Sequence, residues 1–294
     1  KDNDTCDDIG IQGNTVFNSK TRGIVCIGGK RVGIANNRID GTGFSGITTN
    51  KDTNFGTYDA SDTIITGNTL NRVGAIATSG TGNKIGIELA FGTIGATVEG
   101  NVVVGGNPQL FRGITGVSGA TKLLVRGNRV SGAATVGLHF DTVVGLICEG
   151  NRSELNGQYG GVFVNCSSGS MTGNVFYNNN AAKTSGADNC LFDGCSNCVV
   201  YGNVAQDDRT PQFVNRGIEM NNCQSLRLSG NQVLGSDGLT TPQVNANCKN
   251  IMQLETLTGT GAPAMTTYAV GVEYVDLNAG RKYFYTGTAW AALN

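Results

Sequence analysis

The sequence predicts an all-β fold, a right-handed single-stranded parallel β-helix (solenoid) followed by a small antiparallel β module. A short asparagine-containing motif recurs along most of the chain at intervals of 23 residues or more. Glycine supplies 45 of the 294 residues and proline only 4, a composition that favours tight turns between short strands over long helices. Residues 265–294 lack the motif and alternate apolar with polar residues instead. These three observations indicate a solenoid with a separate C-terminal unit.

The recurring motif is an apolar residue, any residue, Gly-Asn, any residue and a second apolar residue. Clear copies begin at Ile11, Ile65, Val98, Val125, Met171, Val200 and Leu228. The marker asparagines, two of them in degenerate copies, are Asn14, Asn37, Asn68, Asn101, Asn128, Asn151, Asn174, Asn203 and Asn231. Their successive spacings are 23, 31, 33, 27, 23, 23, 29 and 28 residues, which indicates a fixed coil of three short strands with loops of variable length.

The Gly-Asn pair has a physical role in such a coil. Both residues tolerate the left-handed backbone that a tight bend between two strands requires. Asparagines stacked in register can also pass amide hydrogen bonds from coil to coil. We therefore expect an internal asparagine ladder, and we take the right hand of the solenoid from the usual hand of parallel crossover connections.

Three cysteines share one position in the repeat. Cys166, Cys195 and Cys223 each precede a marker glycine by seven residues, so we predict a buried stack of thiols on consecutive coils. The spacing of Cys195 and Cys198 matches half of a zinc site, but no second pair or nearby His completes it, and we predict no metal and no cofactor. The odd total of nine cysteines indicates reduced thiols rather than a disulfide framework.

These patterns divide the chain into a parallel β-helix at residues 1–250, a linker at 251–264 and a C-terminal β-hairpin module at 265–294. The net charge of −1, without any Lys/Arg-rich stretch, argues against nucleic acid and anionic lipid as partners. No apolar run is long enough to cross a bilayer, so we also predict no membrane insertion.

A second pattern marks the strand that precedes several of the motif copies. It begins at Gly86, Gly113, Gly137 and Gly217, 13 or 14 residues before a marker glycine. Alternation along these strands buries Ile and Leu and points the residues between them outward, namely Glu88, Thr115, His139 and Glu219. We expect these side chains to form one continuous exposed sheet face.

The coil repeat, over residues 6–250, resembles that of the pectate-lyase-like β-helix proteins and, within them, of bacteriophage tailspike depolymerases. The segment YFYTGTAW at 283–290 resembles β modules that close phage tail proteins. The resemblance implies a homotrimer of the virion tail, assembled in the host cytoplasm, that binds and cleaves bacterial surface polysaccharide (capsule or O-antigen). It also implies an N-terminal attachment region before Lys1. The family has no universal catalytic motif, so the site must be argued from this sequence.

Glycoside hydrolysis uses two carboxyl groups, about 5–5.5 Å apart for retention or about 6.5–9.5 Å apart for inversion. If the cysteines share a column, Asp193 is level with Asn221 and stands one coil from Glu219 on the outward face. Asp193 and Glu219 are therefore our first choice for the catalytic pair. Asp141, two coils from Asp193 with Val164 level between them, is the alternative second carboxylate.

The same face supplies candidate substrate-binding residues. Glu88 stands about five coils from Glu219, too far to act on the same bond, and would serve a separate subsite. Arg112 and Arg216 begin exposed strands and would clamp a sugar carboxylate or, in a lyase, abstract a proton. Asn165 and the only histidine, His139, would contact sugar, and His139 could also carry a proton.

Several alternatives stay open at this level. Each carboxylate could simply keep the sheet face soluble and block edge association. A polysaccharide lyase, a uronan epimerase and a non-catalytic carbohydrate-binding or structural β-helix are all compatible with the repeat, because fold does not fix function. We place a hydrolase ahead of a lyase because acidic candidates outnumber basic ones on the predicted face.

Overall fold

The computed structural model describes most of the repeat region and four strands beyond it. The described parts are residues 7–51, 59–76, 84–105, 111–117, 119–214, 216–235, 242–245, 247–253, 256–259, 273–276, 281–285 and 290–293. Up to Gln253 the chain winds as a parallel β-helix, which confirms the predicted fold class. None of the described residues forms a helix capable of spanning a membrane.

Three parallel sheets run along the solenoid, and each coil contributes one strand to each sheet. Sheet one contains Gly10–Gln12, Gly33–Ala35, Ile64–Thr66, Thr97–Glu99, Leu124–Arg126, Ile147–Glu149, Ser170–Thr172, Val199–Tyr201, Arg227–Ser229 and Met252–Gln253. Sheet two contains Thr15–Ser19, Arg38–Thr42, Thr69–Asn71, Val102–Val104, Arg129–Ser131, Arg152–Glu154, Val175–Tyr177, Val204–Gln206 and Gln232–Leu234. Sheet three contains Ile24–Ile27, Ile47–Asn50, Ile85–Leu89, Arg112–Gly116, Val136–Asp141, Tyr159–Val164, Cys190–Asp193, Ile218–Asn221 and Gln243–Val244.

The Gly-Asn corner between sheets one and two sets the register of the coils. Its glycines adopt positive φ, for example 61° at Gly100 and 60° at Gly127, where a side chain would be strained. On either side, the central residue of each strand faces the core and lies opposite its equivalent, as Val98 lies opposite Ile65 and Val125. All three are fully buried. Burial of each such side chain contributes about 1.5–3 kcal/mol, so a slip by one residue would be costly.

The predicted asparagine ladder is confirmed. From Asn14 to Asn231, the Nδ2 of each marker asparagine donates to the Oδ1 of the next at 2.9–3.1 Å. From Asn37 onward, Nδ2 also donates to a backbone carbonyl one coil back at 2.8–2.9 Å. The ladder satisfies polar groups that the corner would otherwise bury without partners.

The predicted thiol stack is also confirmed. Cys166, Cys195 and Cys223 are buried, and their thiols donate to the carbonyls of core phenylalanines one coil back at 3.5, 3.2 and 3.6 Å. Those phenylalanines form a second stack. The ring centroids of Phe140 and Phe163 lie 5.8 Å apart, and those of Phe163 and Phe192 lie 4.9 Å apart.

Differences in coil length arise largely between sheets two and three. That connection runs from 132 to 135 in one coil and from 178 to 189 two coils later. A short sheet of Ala60–Ser61 and Thr93–Ile94, continued by isolated bridges, lines the turns that lead back to sheet one. The long connections therefore enter sheet three beside its first residues.

The last four strands form a sheet of their own. Thr256–Gly259 pairs in parallel with Glu273–Asp276, which pairs antiparallel with Arg281–Tyr285, which in turn pairs antiparallel with Trp290–Leu293. The predicted linker contains two strands, Met252–Gln253 and Thr256–Gly259. Its glycine and threonine residues do not prevent the backbone from pairing with a neighbouring strand. The boundaries of the three predicted domains stay predictions.

Candidate functional site

The outer face of sheet three carries side chains that turn away from the core in three columns. The first column contains Arg112, Val136, Tyr159, Asp188 and Arg216. The second contains Glu88, Thr115, His139, Val162, Leu191 and Glu219. The third contains Asp141, Val164, Asp193 and Asn221. Neighbours in a column lie about 4.8 Å apart, so the second column spans roughly 24 Å.

The expectation of a continuous exposed face is wrong for part of the second column. Thr115 is fully buried, and Glu88 and Glu219 expose only 9% and 6% of their surface. Glu88 accepts hydrogen bonds from Ser45 Oγ at 2.9 Å and from Thr48 Oγ1 at 3.3 Å. Alternation in the sequence gives the direction of a side chain but not what covers it. The Glu88 carboxylate is satisfied within the protein, and its subsite role stays a prediction.

Two buried carboxyl groups meet on this face, and we call Asp188 and Glu219 the carboxyl pair. Asp188 exposes 1% of its surface. Burial, followed by the neighbouring Glu219 carboxyl group and its charge, raises the pKa of Asp188 to about 8. Burial also acts on Glu219, but the neighbouring Asp188 carboxyl group, the hydrogen bond from Asn245 and the charge of Arg216 outweigh it and lower the pKa of Glu219. The pair therefore holds one proton near neutral pH, and that proton resides on Asp188.

Polar neighbours orient Glu219 within the carboxyl pair. Glu219 Oε1 accepts hydrogen bonds from Arg216 Nη1 and from Asn245 Nδ2, the latter at 2.8 Å. Tyr159 lies one coil from Asp188 in the first column, and burial with the charges of both carboxyl groups raises the pKa of its phenol. A neutral phenol, a protonated acid, a carboxylate and a guanidinium thus come together on three coils.

The two loops that lead into Asp188 and Arg216 are tied to each other. Asp207 is fully buried and accepts hydrogen bonds from Arg209 Nε at 2.7 Å and from the amides of Phe213 and Val214 at 2.9 and 3.0 Å. Asn180 Nδ2 donates to the Phe213 carbonyl. The ammonium of Lys183 lies 4.3 Å from the centre of the Phe213 ring. These contacts fix the loop ends from which the first column starts.

The predicted catalytic residues take the predicted registers. Asp193 is level with Asn221, and Val164 lies between Asp193 and Asp141 on the intervening coil. Their contacts differ from those expected for a catalytic pair. Asp193 Oδ1 accepts from Asn222 Nδ2 at 2.8 Å. Asp141 Oδ1 accepts from Thr142 Oγ1 at 2.7 Å.

Among the described residues, the carboxyl group that shifts the pKa of Glu219 belongs to Asp188 and not to Asp193, although neither Asp188 carboxyl oxygen has a hydrogen-bond partner there. The catalytic roles of Asp193 and Asp141 stay predictions. Asn165 is exposed, has a left-handed φ of 49° and donates its backbone amide to the Asp193 carbonyl at 2.8 Å. It belongs to the corner that ends sheet three rather than to the columns themselves.

A second polar group is centred on His139, which lies two coils from Asp188 and three from Glu219. His139 is opposite Thr115, and Arg112 begins the same strand as Thr115. Burial, followed by the charge of Arg112, lowers the pKa of His139 to about 4 against the opposing charge of Asp141. The imidazole is therefore neutral at physiological pH.

Sequence reasoning missed Asp188, Tyr159 and Asn245. One signal for Asp188 was available. Cys190 is level with Ile218, and counting two residues back on both strands makes Asp188 level with Arg216, where the outward-facing residues begin. The burial that makes Asp188 an acid at neutral pH has no signature in the local sequence. No group of three or more His, Cys, Asp or Glu side chains in the described residues could hold a metal ion.

Two of three comparisons with known proteins return matches. Residues 78–192 match the family model described as periplasmic copper-binding protein (NosD), although the described residues do not assemble a metal site there. Comparison with curated protein sequences finds no match.

Among solved structures, a double mutant of the periplasmic alginate epimerase AlgG is similar with a TM-score of 0.60 and 14% identity over 85% of this chain and 70% of that one. Bacteriophage CBA120 tailspike protein 2 is similar with a TM-score of 0.47 and 16% identity over 86% and 43% of the two chains. The Streptococcus pneumoniae adhesin PfbA is similar with a TM-score of 0.49 and 15% identity over 83% of this chain and 68% of that one. The likeness to the epimerase, together with the strand topology, identifies the chain as a right-handed parallel β-helix.

Proposed function

We propose that the chain is a polysaccharide depolymerase that holds its substrate along the outer face of sheet three and cleaves it by glycoside hydrolysis. The observation that carries the proposal is the buried carboxyl pair, in which Asp188 keeps its proton at neutral pH beside the Glu219 carboxylate. Burying a carboxyl group costs free energy, so a protein seldom keeps two of them buried side by side without a function. Perturbed carboxyl groups of this kind cluster at functional sites.

The pair would supply the general acid. Glu219, held by Arg216 and Asn245, would take the proton from Asp188 and donate it to the glycosidic oxygen as the bond breaks, and Asp188 would then regain a proton from solvent. Asp193 would act as the base. Its Cα lies about 8 Å from that of Glu219, given two residues along the strand and one coil across. Carboxyl groups carried at that Cα spacing could hold a water between them, as an inverting enzyme requires.

The resemblance to tailspikes extends the proposal to the biological setting. We propose that the substrate is bacterial capsule or O-antigen polysaccharide and that the chain acts as a homotrimer of a phage tail. A similar fold in an alginate epimerase supports a polysaccharide as the ligand class.

The test is incubation of the purified protein with capsular and O-antigen polysaccharides, following polymer size, reducing ends and ultraviolet absorbance together. Shortening with new reducing ends and no absorbance is expected. Asp188→Asn and Glu219→Gln should each lower kcat about 10²- to 10⁴-fold, the usual contribution of general acid–base catalysis. Asp193→Asn should do the same if it is the base. Glu99→Gln, an exposed carboxylate of sheet one, is the matched control and should keep full activity.

A lyase or epimerase is the second candidate, and Tyr159 is the observation that favours it. Its phenol keeps a proton beside the carboxyl pair, and Arg216 could neutralise a uronate carboxylate while a proton is removed from the adjacent carbon. Unsaturated products that absorb in the ultraviolet would identify a lyase, and altered stereochemistry without shortening would identify an epimerase. A polysaccharide that binds but stays unchanged would leave a carbohydrate-binding or structural β-helix.

A further inference from the structure

Besides the two Asp188 carboxyl oxygens, three buried polar side-chain atoms on the outer face have no hydrogen-bond partner among the described residues. They are Arg112 Nε, Thr115 Oγ1 and His139 Nδ1. Thr115 and His139 are register neighbours on adjacent coils, and Arg112 stands three residues before Thr115 on the same strand. A buried polar atom left unpaired costs about 1–3 kcal/mol, and three side by side indicate that a ligand completes them.

The chemistry of the three atoms specifies that ligand. Arg112 Nε only donates, and its guanidinium stays charged. The Thr115 hydroxyl and the Nδ1 of a neutral imidazole can both donate as well. Two acidic side chains neighbour this group. Glu88 is the register partner of Thr115, and its carboxylate accepts hydrogen bonds from Ser45 and Thr48. Asp141 acts on Arg112 and His139 through its charge, while its Oδ1 accepts from the Thr142 hydroxyl. A charged guanidinium with two further donors beside it fits an acceptor that has two oxygens and a negative charge.

We propose that Arg112, Thr115 and His139 form a subsite for the carboxylate of an acidic sugar, so that the substrate is a uronate-containing or otherwise carboxylated polysaccharide. This inference rests on the proposed function for its place in a substrate groove. Along the second column His139 lies three coils from Glu219, roughly 14 Å, and Thr115 lies four coils from it, roughly 19 Å. The subsite therefore anchors the chain beside the point of cleavage and not at it.

His139 makes the proposal directly measurable because it is the only histidine in the chain. With histidine labelled in ¹⁵N, the imidazole gives a single pair of nitrogen signals in the intact protein. We would titrate it with sodium glucuronate, galacturonate and mannuronate, each beside its uncharged methyl ester. At least one acid should shift the signals saturably, its ester should not, and the imidazole pKa should rise because a bound anion favours the imidazolium.

Variants assign the effect to the three residues. Arg112→Gln should weaken the apparent affinity about ten- to a hundredfold, the range expected for a lost charge-assisted hydrogen bond. Thr115→Val keeps the shape of the side chain and should weaken it less. Arg227→Gln, an exposed arginine of sheet one, is the matched control and should leave the titration unchanged.

Two results would overturn the subsite: no acid shifting the imidazole more than its ester does, or Arg112→Gln binding as tightly as the parent protein. Neither outcome depends on catalysis. Carboxylate binding without any depolymerisation would instead refute the proposed hydrolysis, and depolymerisation of neutral polymers alone would refute the acidic substrate.

Discussion

The carboxyl pair has a consequence for stability that needs no substrate. Asp188 has an ordinary pKa of 3.8 and a folded pKa raised to about 8. Between these values the folded protein holds a proton that the unfolded chain has lost. The contribution of Asp188 to the free energy of unfolding is therefore complete below pH 4 and falls as the pH rises towards 8. The slope for one proton is at most about 1.4 kcal/mol per pH unit. Glu219 contributes the opposite trend, but only below its ordinary pKa of 4.5.

Asp188→Asn removes the titration and keeps the shape of the side chain. From pH 5 to 8 the parent protein should lose up to about 4 kcal/mol relative to this variant, three pH units at the limiting slope. The measurement is the urea midpoint at each pH, followed by circular dichroism. Glu99→Gln should keep the parental slope because Glu99 is exposed on another sheet. Equal slopes for the parent protein and Asp188→Asn would refute the assignment of the shared proton.

Three further predictions concern the solenoid itself. Asn151 makes four buried side-chain hydrogen bonds in the ladder, so Asn151→Ala should lower the free energy of unfolding in urea by about 4 kcal/mol. Asn14→Ala, at the exposed end of the ladder, should lower it by about 1 kcal/mol. Equal losses would contradict the contribution of the ladder to stability. Phe163→Ala, at the centre of the phenylalanine stack, should cost about 3–5 kcal/mol, and an unchanged midpoint would show that the stack is not a packed core. Contact with neighbouring thiols and burial raise the pKa of Cys195, so a soluble disulfide reagent should modify it only after unfolding, as peptide mapping can check.

The repeat made the fold predictable because each coil obeys the same local rules. The Gly-Asn corner needs a left-handed residue followed by an amide, and this requirement appears in the sequence at every turn. Counting residues back from the corner also gave correct registers for distant side chains, including Asp193 opposite Asn221. The tail was harder to predict, because Thr256–Gly259 has the composition of a linker and is a strand only through its pairing with Glu273–Asp276.

The candidate site was predictable only in part. Glu88 and Glu219 occupy the same column and look alike in sequence. The hydroxyl groups of Ser45 and Thr48 donate to Glu88, whereas the carboxyl group of Asp188 lies beside Glu219. That difference arises from neighbours on other coils. Asp188 follows a loop whose length varies from coil to coil, so its place in the first column depends on where that loop re-enters the sheet. Register follows from local sequence, whereas chemical environment does not.

The ladder also bears on how the chain can be made. Each marker asparagine bonds to its equivalent 23 to 33 residues away, and the sheets likewise join successive coils. Every coil thus finds all its partners in the coil just completed and the one to follow. A ribosome that releases the chain from its N-terminus delivers the coils in the order in which they stack. The newest coil offers an open template to the next, so growth of the solenoid can keep pace with translation without waiting for distant sequence.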